Sequence, residues 1–199
     1  MKKKFIFYLS IIILLGSCHP GGIEYYEDTD VVYTNYDDSF DFQSKGVYAI
    51  PDKIVKLEGD LLEGEEPAFV KEPYNTQMLN QIKSNMTALG WTKTEDPADA
   101  DLVMFPAVWT NTTLYYYYDY WCWYYYYYCG GWGWGYPSVS SYTTGTLLMT
   151  LVADGDEYID PTRVWTANIN GLLSGAYNSS RVTKSIDQAF TQSPYLKTN

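Results

Sequence analysis

Residues 146–153 read TLLMTLVA, and residues 102–105 read LVMF. Short continuous apolar runs of this kind are typical of strands that are buried on both faces. A third apolar run covers 163–173, and the turn Asp154-Gly155-Asp156 before it is a strong hairpin signal. We therefore expect three long neighbouring strands at the centre of one sheet.

Two amphipathic stretches accompany these runs. In the first, the apolar residues fall on one helical stripe, which consists of Met78, Leu79, Ile82, Met86 and Leu89. Gly90 follows as a C-terminal stop. The second stripe lies near the end of the chain and consists of Val182, Ile186, Ala189 and Phe190.

The stretch before the first helical stripe has the composition of strands and a loop. Residues 30–36 and 46–57 are β-rich, and Pro51 in the second predicts an edge strand or a bulge. Residues 58–73 are acidic and predict a solvated loop. The order of elements predicts an α+β domain over 30–199, in which two helices pack on one face of a mostly antiparallel sheet.

The N-terminus predicts export and a lipid anchor. Lys2, Lys3 and Lys4 precede an apolar run at 5–15, which is too short for a transmembrane helix and is typical of a secretory signal. The following Leu15-Gly16-Ser17-Cys18 resembles a bacterial lipobox. That resemblance implies a signal peptide over 1–17, and diacylglycerol and a fatty acid such as palmitate on Cys18. An ordinary signal peptide with an incidental cysteine is the alternative.

The net charge bears on the partners of the chain, and the residues after Cys18 bear on its location. The chain has 13 Lys and Arg against 24 Asp and Glu, a net charge of −11, which argues against nucleic acid as a partner. Residues 18–29 predict a lipidated tether. His19 after the cysteine fits known sorting rules for the outer membrane. We expect an anchor in the bacterial outer membrane, with the periplasmic face favoured over the cell surface.

Residues 115–136 read YYYYDYWCWYYYYYCGGWGWGY, with eleven tyrosines and four tryptophans in 22 positions. The position between two strand runs and the closing glycines predict a long aromatic β-hairpin. It is either a low-complexity loop, a contact surface for an envelope protein or glycan, or a segment that enters the lipid headgroup layer. The candidate contact residues are Tyr116, Tyr118, Tyr120, Trp121, Trp123, Tyr125, Tyr127, Trp132 and Trp134.

Cys122 and Cys129 remain after Cys18 is acylated. An even pair in an oxidising compartment favours an intramolecular disulfide, while free thiols or pairing between chains are alternatives. We expect no zinc site, because these two cysteines lack partners and His19 is the single histidine of the chain. We expect no cofactor, because the chain has no P-loop and no GxGxxG.

The sequence gives no residue a catalytic assignment. A histidine confined to the tether excludes His-dependent triads in the domain. Carboxylates at Asp99 and Asp101 leave open a glycan hydrolase, and those at Asp154, Asp156, Glu157 and Asp160 suit a turn. Arg163 and Trp165 suit cross-strand packing better than a site.

Four features together resemble the DUF4136 family of bacterial envelope lipoproteins. They are the lipobox, the strand pattern Val32-Tyr33-Thr34-Asn35-Tyr36-Asp37 with the later Phe40-Asp41-Phe42 and Tyr48-Ala49, the segment Leu89-Gly90-Trp91 before 98–103, and the closing Ser193-Pro194-Tyr195. The resemblance covers most of 30–196 and implies fold and location. Because the family is a domain of unknown function, it implies no catalytic residues.

We therefore expect a non-enzymatic outer-membrane lipoprotein that acts by binding or scaffolding in the envelope. A self-associating structural protein and a carboxylate-dependent glycan hydrolase are the alternatives. The sequence leaves the oligomeric state open.

Overall fold

The computed structural model describes residues 31–57, 66–109, 145–153, 162–173 and 177–199. The predicted hairpin at 115–136, the turn at 154–156 and residues 1–30 lie outside these ranges. The elements in chain order are β1 (Val31–Tyr36), β2 (Val47–Ala49), β3 (Val55–Leu57), β4 (Ala68–Phe69), α1 (Tyr74–Ala88), β5 (Thr92–Thr94), β6 (Leu102–Trp109), β7 (Thr146–Ala153), β8 (Thr162–Asn170) and α2 (Ser179–Thr191).

The eight described strands form one mixed sheet, with β1-β8-β7-β6-β2-β5 as its main order. β6, β7 and β8 are antiparallel neighbours and form the long centre that the apolar runs predict. β1 adds to the outer side of β8 in six consecutive antiparallel pairs. The predicted α+β class is confirmed, and the sheet is mixed rather than purely antiparallel, because β2 and β3 run parallel to β6.

The β-rich stretch that contains Pro51 is two strands rather than one. Tyr48 of β2 pairs with Leu102, whereas Val55 of β3 pairs with Ala107. The chain therefore has two more residues between these pairs than β6 has, and the excess loops out around Pro51. Asn75 of α1 holds the loop, since its Oδ1 accepts from the Ile54 N–H at 2.8 Å and its Nδ2 donates to the Asp52 carbonyl at 2.9 Å.

Both helices pack on the same face of the sheet, as the sequence predicts. α1 buries Met78, Leu79, Ile82 and Met86, and α2 buries Val182, Ile186, Ala189 and Phe190. These side chains join one apolar cluster with the sheet residues that point toward them, such as Met104, Leu147, Met149, Leu151, Trp165 and Ile169. We call the opposite side of the sheet the helix-free face, because neither α1 nor α2 contributes to its apolar cluster.

Gly90 joins α1 to β5 in a conformation that favours glycine. Its φ is +96°, and a Cβ atom there would lie 2.2 Å from Thr198 Oγ1. Thr198 is itself fixed, because its N–H donates to the Leu89 carbonyl at 3.0 Å. The end of the chain therefore packs directly against the turn that follows the helix.

We expect Gly90→Ala to lower the free energy of unfolding by about 1–3 kcal/mol, through the positive φ and the displaced Thr198. Urea denaturation checks the value. Gly46→Ala is the matched control, because a Cβ atom there would meet nothing within 4 Å; its effect should stay within about 0.5 kcal/mol. Equal losses in the two variants would contradict the account.

Candidate functional site

Most of the predicted site residues lie outside the described ranges. These are Cys18, Cys122, Cys129, Tyr116, Tyr118, Tyr120, Trp121, Trp123, Tyr125, Tyr127, Trp132 and Trp134. The structure thus leaves the lipid anchor, the disulfide and the aromatic contact surface as predictions. The structure describes the two residues that flank 110–144 in the chain, and the Gly145 N–H donates to the Trp109 carbonyl at 2.8 Å.

The two candidate acids of a hydrolase occupy the entrance to β6. Asp99 ends a 3₁₀ turn, Pro97–Asp99, and its side chain is exposed. Asp101 is half-buried, and its Oδ2 accepts from the backbone N–H groups of Gly46 and Val47, each at 2.9 Å. The carboxylate therefore fastens the start of β2 to the start of β6.

The environment of Asp101 favours the charged carboxylate. Partial burial on its own would raise the pKa of Asp101, but the two N–H donors from Gly46 and Val47 outweigh it, and Lys45 Nζ at 3.9 Å adds to their effect. The pKa of Asp101 is therefore lowered. A general acid needs the opposite shift, since it must hold its proton near neutral pH. This geometry suits a structural carboxylate rather than an acid catalyst.

Asp101→Asn should destabilise the fold in a pH-dependent way. Because the folded-state pKa of Asp101 is lowered, its stabilisation is present above the unfolded-state value of about 3.9 and is lost as pH falls through the folded-state pKa. We expect a deficit of about 1 kcal/mol at pH 7, which shrinks as pH falls below about 3.9.

Urea denaturation across this pH range measures the difference between the variant and the parent chain. Asp99→Asn is the control, because the exposed Asp99 side chain lies two residues away at the same strand entrance. A deficit that does not change with pH would show that Asp101 is not acting through its charge.

The helix-free face changes character from one side of the sheet to the other. On β6 it presents Val103, Phe105, Ala107 and Trp109, which are at most 7% exposed and form an apolar cluster with β3. On β7 it alternates threonine with apolar residues, in the order Thr146, Leu148, Thr150 and Val152. On β8 the helix-free face is polar, and on β1 it is largely polar.

We call this last part the β1–β8 strip. It consists of Val31, Tyr33 and Asn35 on β1 and their partners Asn170, Asn168 and Thr166 on β8. Residues directly opposite each other in a sheet share a face, and the alternating residues Ala167 and Ile169 belong to the helix-side cluster. The strip carries no charged side chain. Val31 is 58% exposed and Tyr33 is 56% exposed, so its outer edge is open to solvent.

Two buried polar atoms lie next to this open edge. Within the described part of the chain, Asn168 Oδ1 and Thr166 Oγ1 have no hydrogen-bond partner. Asn168 is only 7% exposed and lies opposite Tyr33. A buried polar group that lacks a partner costs about 1–3 kcal/mol. Such groups are uncommon in folded proteins, and here both lie on β8, the strand next to the exposed Tyr33.

An aromatic contact joins the end of β1 to the C-terminal segment. The Tyr36 ring, which is 43% exposed, stacks on the Tyr195 ring at a centroid distance of 3.7 Å and an interplanar angle of 19°. The Tyr195 hydroxyl donates to Ser193 Oγ at 3.1 Å. The C-terminal segment thus fixes β1 from the helix side and leaves its helix-free side open.

Sequence reasoning missed the strip. Its signal is present in the period-two pattern of residues 166–170, TANIN, where polar residues alternate with Ala167 and Ile169. That pattern shows which residues share a face. It does not show that β1 ends the sheet, and this position is what exposes Tyr33.

Two further features concern only the residues that the structure describes. In those ranges, no group of three or more His, Cys, Asp or Glu side chains is placed to hold a metal ion. No helix among them is both long and apolar enough to cross a membrane.

The fold defines a class of small α+β proteins in which two helices cover one face of a mixed sheet. Within that class the chain belongs to the family described as Domain of unknown function (DUF4136), which matches residues 32–195. The resemblance drawn from the sequence is thereby confirmed. No curated protein matches the chain.

One solved structure supports the same assignment. A DUF4136 family protein from Bacteroides thetaiotaomicron is 26% identical, with a TM-score of 0.65, and the match covers 84% of this chain and 97% of that one. A PDZ domain protein from Parabacteroides distasonis is 14% identical, with a TM-score of 0.43, over 83% of this chain and 36% of that one. A PelC dodecamer from Paraburkholderia phytofirmans is 12% identical, with a TM-score of 0.39, over 85% and 99%. The last two are too distant to support any argument about this chain.

Proposed function

We propose that the chain is a lipid-anchored lipoprotein of the bacterial outer membrane that acts by binding or scaffolding rather than by catalysis. The observation that carries this proposal is the β1–β8 strip, an uncharged surface with exposed Val31 and Tyr33 on a protein whose net charge is −11. Tyrosine on an exposed uncharged surface is a common anchor of protein contacts.

The position of the strip in the chain supports the same proposal. β1 begins at Val31, and residues 19–30 separate it from Cys18, the lipidation site of the resembled lipobox. Twelve extended residues reach at most about 40 Å, so the strip would work close to the anchoring membrane. The structural use of Asp101 supports binding over carboxylate catalysis. The aromatic residues at 115–136 remain a second candidate surface for an envelope protein or a glycan.

In-cell photocrosslinking tests the strip as a binding surface. A photoreactive benzoylphenylalanine replaces Tyr33 in the full chain, and in a second chain it replaces Thr87, which is exposed on α1. We expect discrete protein adducts from position 33 and at most a faint background from position 87. An absence of adducts at position 33, with normal abundance in the membrane fraction, would overturn the proposal that the strip binds a protein.

A further inference from the structure

The outer edge of β1 has a defined set of open backbone groups. The Asp37 N–H donates to the Val164 carbonyl at 2.9 Å, which fixes the pattern of bonding between β1 and β8. Hydrogen-bonding residues alternate along an antiparallel pair. Val31, Tyr33 and Asn35 therefore turn their backbone groups toward β8, whereas Val32 and Thr34 turn theirs away from the sheet.

The open edge is bounded at its far end. The Tyr36 N–H also points outward, but it donates to the Asn35 Oδ1 at 3.0 Å. Val32 and Thr34 are thus left with two outward N–H groups and two outward carbonyls, and none of the described strands pairs with them. Four such groups on alternate residues form the template for one more antiparallel strand.

Other sheet edges in the described ranges are less suited to pairing. β5 has three residues and carries Lys93, which is paired with Glu95. β4 has two residues. β1 has six residues, VVYTNY, with no charge, no proline and no bulge in its register with β8. Natural edges are commonly protected by charge, proline or bulges, and β1 has none of these.

We propose that this edge pairs with β1 of a second copy of the chain. This rests on the proposed function in that it names the partner of the β1–β8 strip. A two-fold axis through Tyr33 places Val32 opposite Thr34 of the copy, and Thr34 opposite its Val32. The four outward groups of one copy then pair with the four of the other in four hydrogen bonds, because both residue pairs are of the hydrogen-bonded type. The pairing ends at Tyr36, because its N–H already donates to the Asn35 Oδ1.

The side chains suit this register. Tyr33 faces Tyr33 of the second copy in a pair of the non-hydrogen-bonded type, where side chains come closest. Both rings lie on the helix-free face, beside Asn168 of each chain. β1 itself carries no charged side chain, so the residues that pair, 32–34, bring no like charges together. The tethers of about 40 Å maximum reach allow both anchors to enter one membrane.

Disulfide trapping in the full-length, membrane-anchored chain tests the pairing. The background carries Cys122→Ser and Cys129→Ser, so that no native thiol of the domain interferes. Tyr33→Cys should yield a covalent dimer as its main form, because facing residues of a non-hydrogen-bonded pair are about 4.5–5.5 Å apart, within disulfide reach. Asn35→Cys is the matched control, on the same strand and face, and should yield at least tenfold less dimer.

Two further variants fix the register. A chain with Val31→Cys and a chain with Asn35→Cys, produced together, should form a mixed dimer, since these positions face each other across the axis. Adding Thr34→Pro to the Tyr33→Cys chain removes one outward N–H without removing a bond to β8, and dimer should fall severalfold. Equal trapping at positions 33 and 35, or none at position 33, would overturn self-pairing. Adducts of other proteins in the photocrosslinking experiment would then still support a binding role.

Discussion

Trp165→Ala should cause a large loss of stability, about 3–5 kcal/mol, which is the usual range for a buried tryptophan. Trp165 is 1% exposed and lies on the helix side of β8, with its ring centroid 5.5 Å from that of Phe190 on α2. Its indole N–H donates to Ser193 Oγ at 2.9 Å, so the side chain also ties the sheet to the C-terminal segment. Truncation removes both contacts and leaves a cavity under α2.

Urea denaturation of the two chains measures this loss, and the melting temperature should fall by roughly 10 °C. Arg163→Ala is the control, because Arg163 is exposed on the same strand, and its effect should stay within about 0.5 kcal/mol. A Trp165→Ala chain as stable as the Arg163→Ala chain would contradict the packing of α2 on β8.

Cys18→Ser should abolish lipidation. Under the proposed function Cys18 carries diacylglycerol and a further acyl chain, and each buried methylene adds about 0.8 kcal/mol to membrane binding. Cells grown with an alkyne fatty acid should label the parent chain strongly and the variant only at background. Cys122→Ser and Cys129→Ser are the controls and should label like the parent. Full labelling of the Cys18→Ser chain would contradict the anchor.

The central strands were predictable because they are buried on both faces. Every residue of β6 and β7 is buried, so their sequences are nearly continuous apolar runs and need no alternation to be recognised. The stripe of α1 was equally clear, and the helix, Tyr74–Ala88, ends just before Gly90, as the predicted stop indicates. Local periodicity determines these elements.

The parallel pairings could not be predicted in the same way. β2 and β3 have three residues each, and both are placed by contacts from distant parts of the chain. Asp101 fastens β2, and Asn75 holds the loop before β3. The sequence does not indicate either role, because aspartate and asparagine are also common in ordinary turns.

The β1–β8 strip depends on topology rather than on composition. Val31–Tyr36 is recognisable as a strand from its residues alone, but its place at the end of the sheet follows from the chain returning as β8 beside β7. The exposure of Tyr33 and the outward direction of the Val32 and Thr34 backbone groups follow from that place. The predicted aromatic surface at 115–136 lies outside the described residues and stays a prediction.

Hydrogen exchange of β1 in outer-membrane fragments is the most direct test of the central claim, that the edge of β1 is occupied in the working protein. The amides of Tyr33 and Asn35 point toward β8 and should exchange slowly, which makes them an internal reference. The account predicts that, in the membrane, the amides of Val32 and Thr34 exchange as slowly as those of Tyr33 and Asn35. In the Thr34→Pro chain the Val32 amide should exchange at least tenfold faster than it does in the parent chain. The contrary result is that, in the membrane-anchored parent chain, the amides of Val32 and Thr34 exchange as fast as an exposed, unpaired amide. That result would show that the edge is empty and would contradict the account.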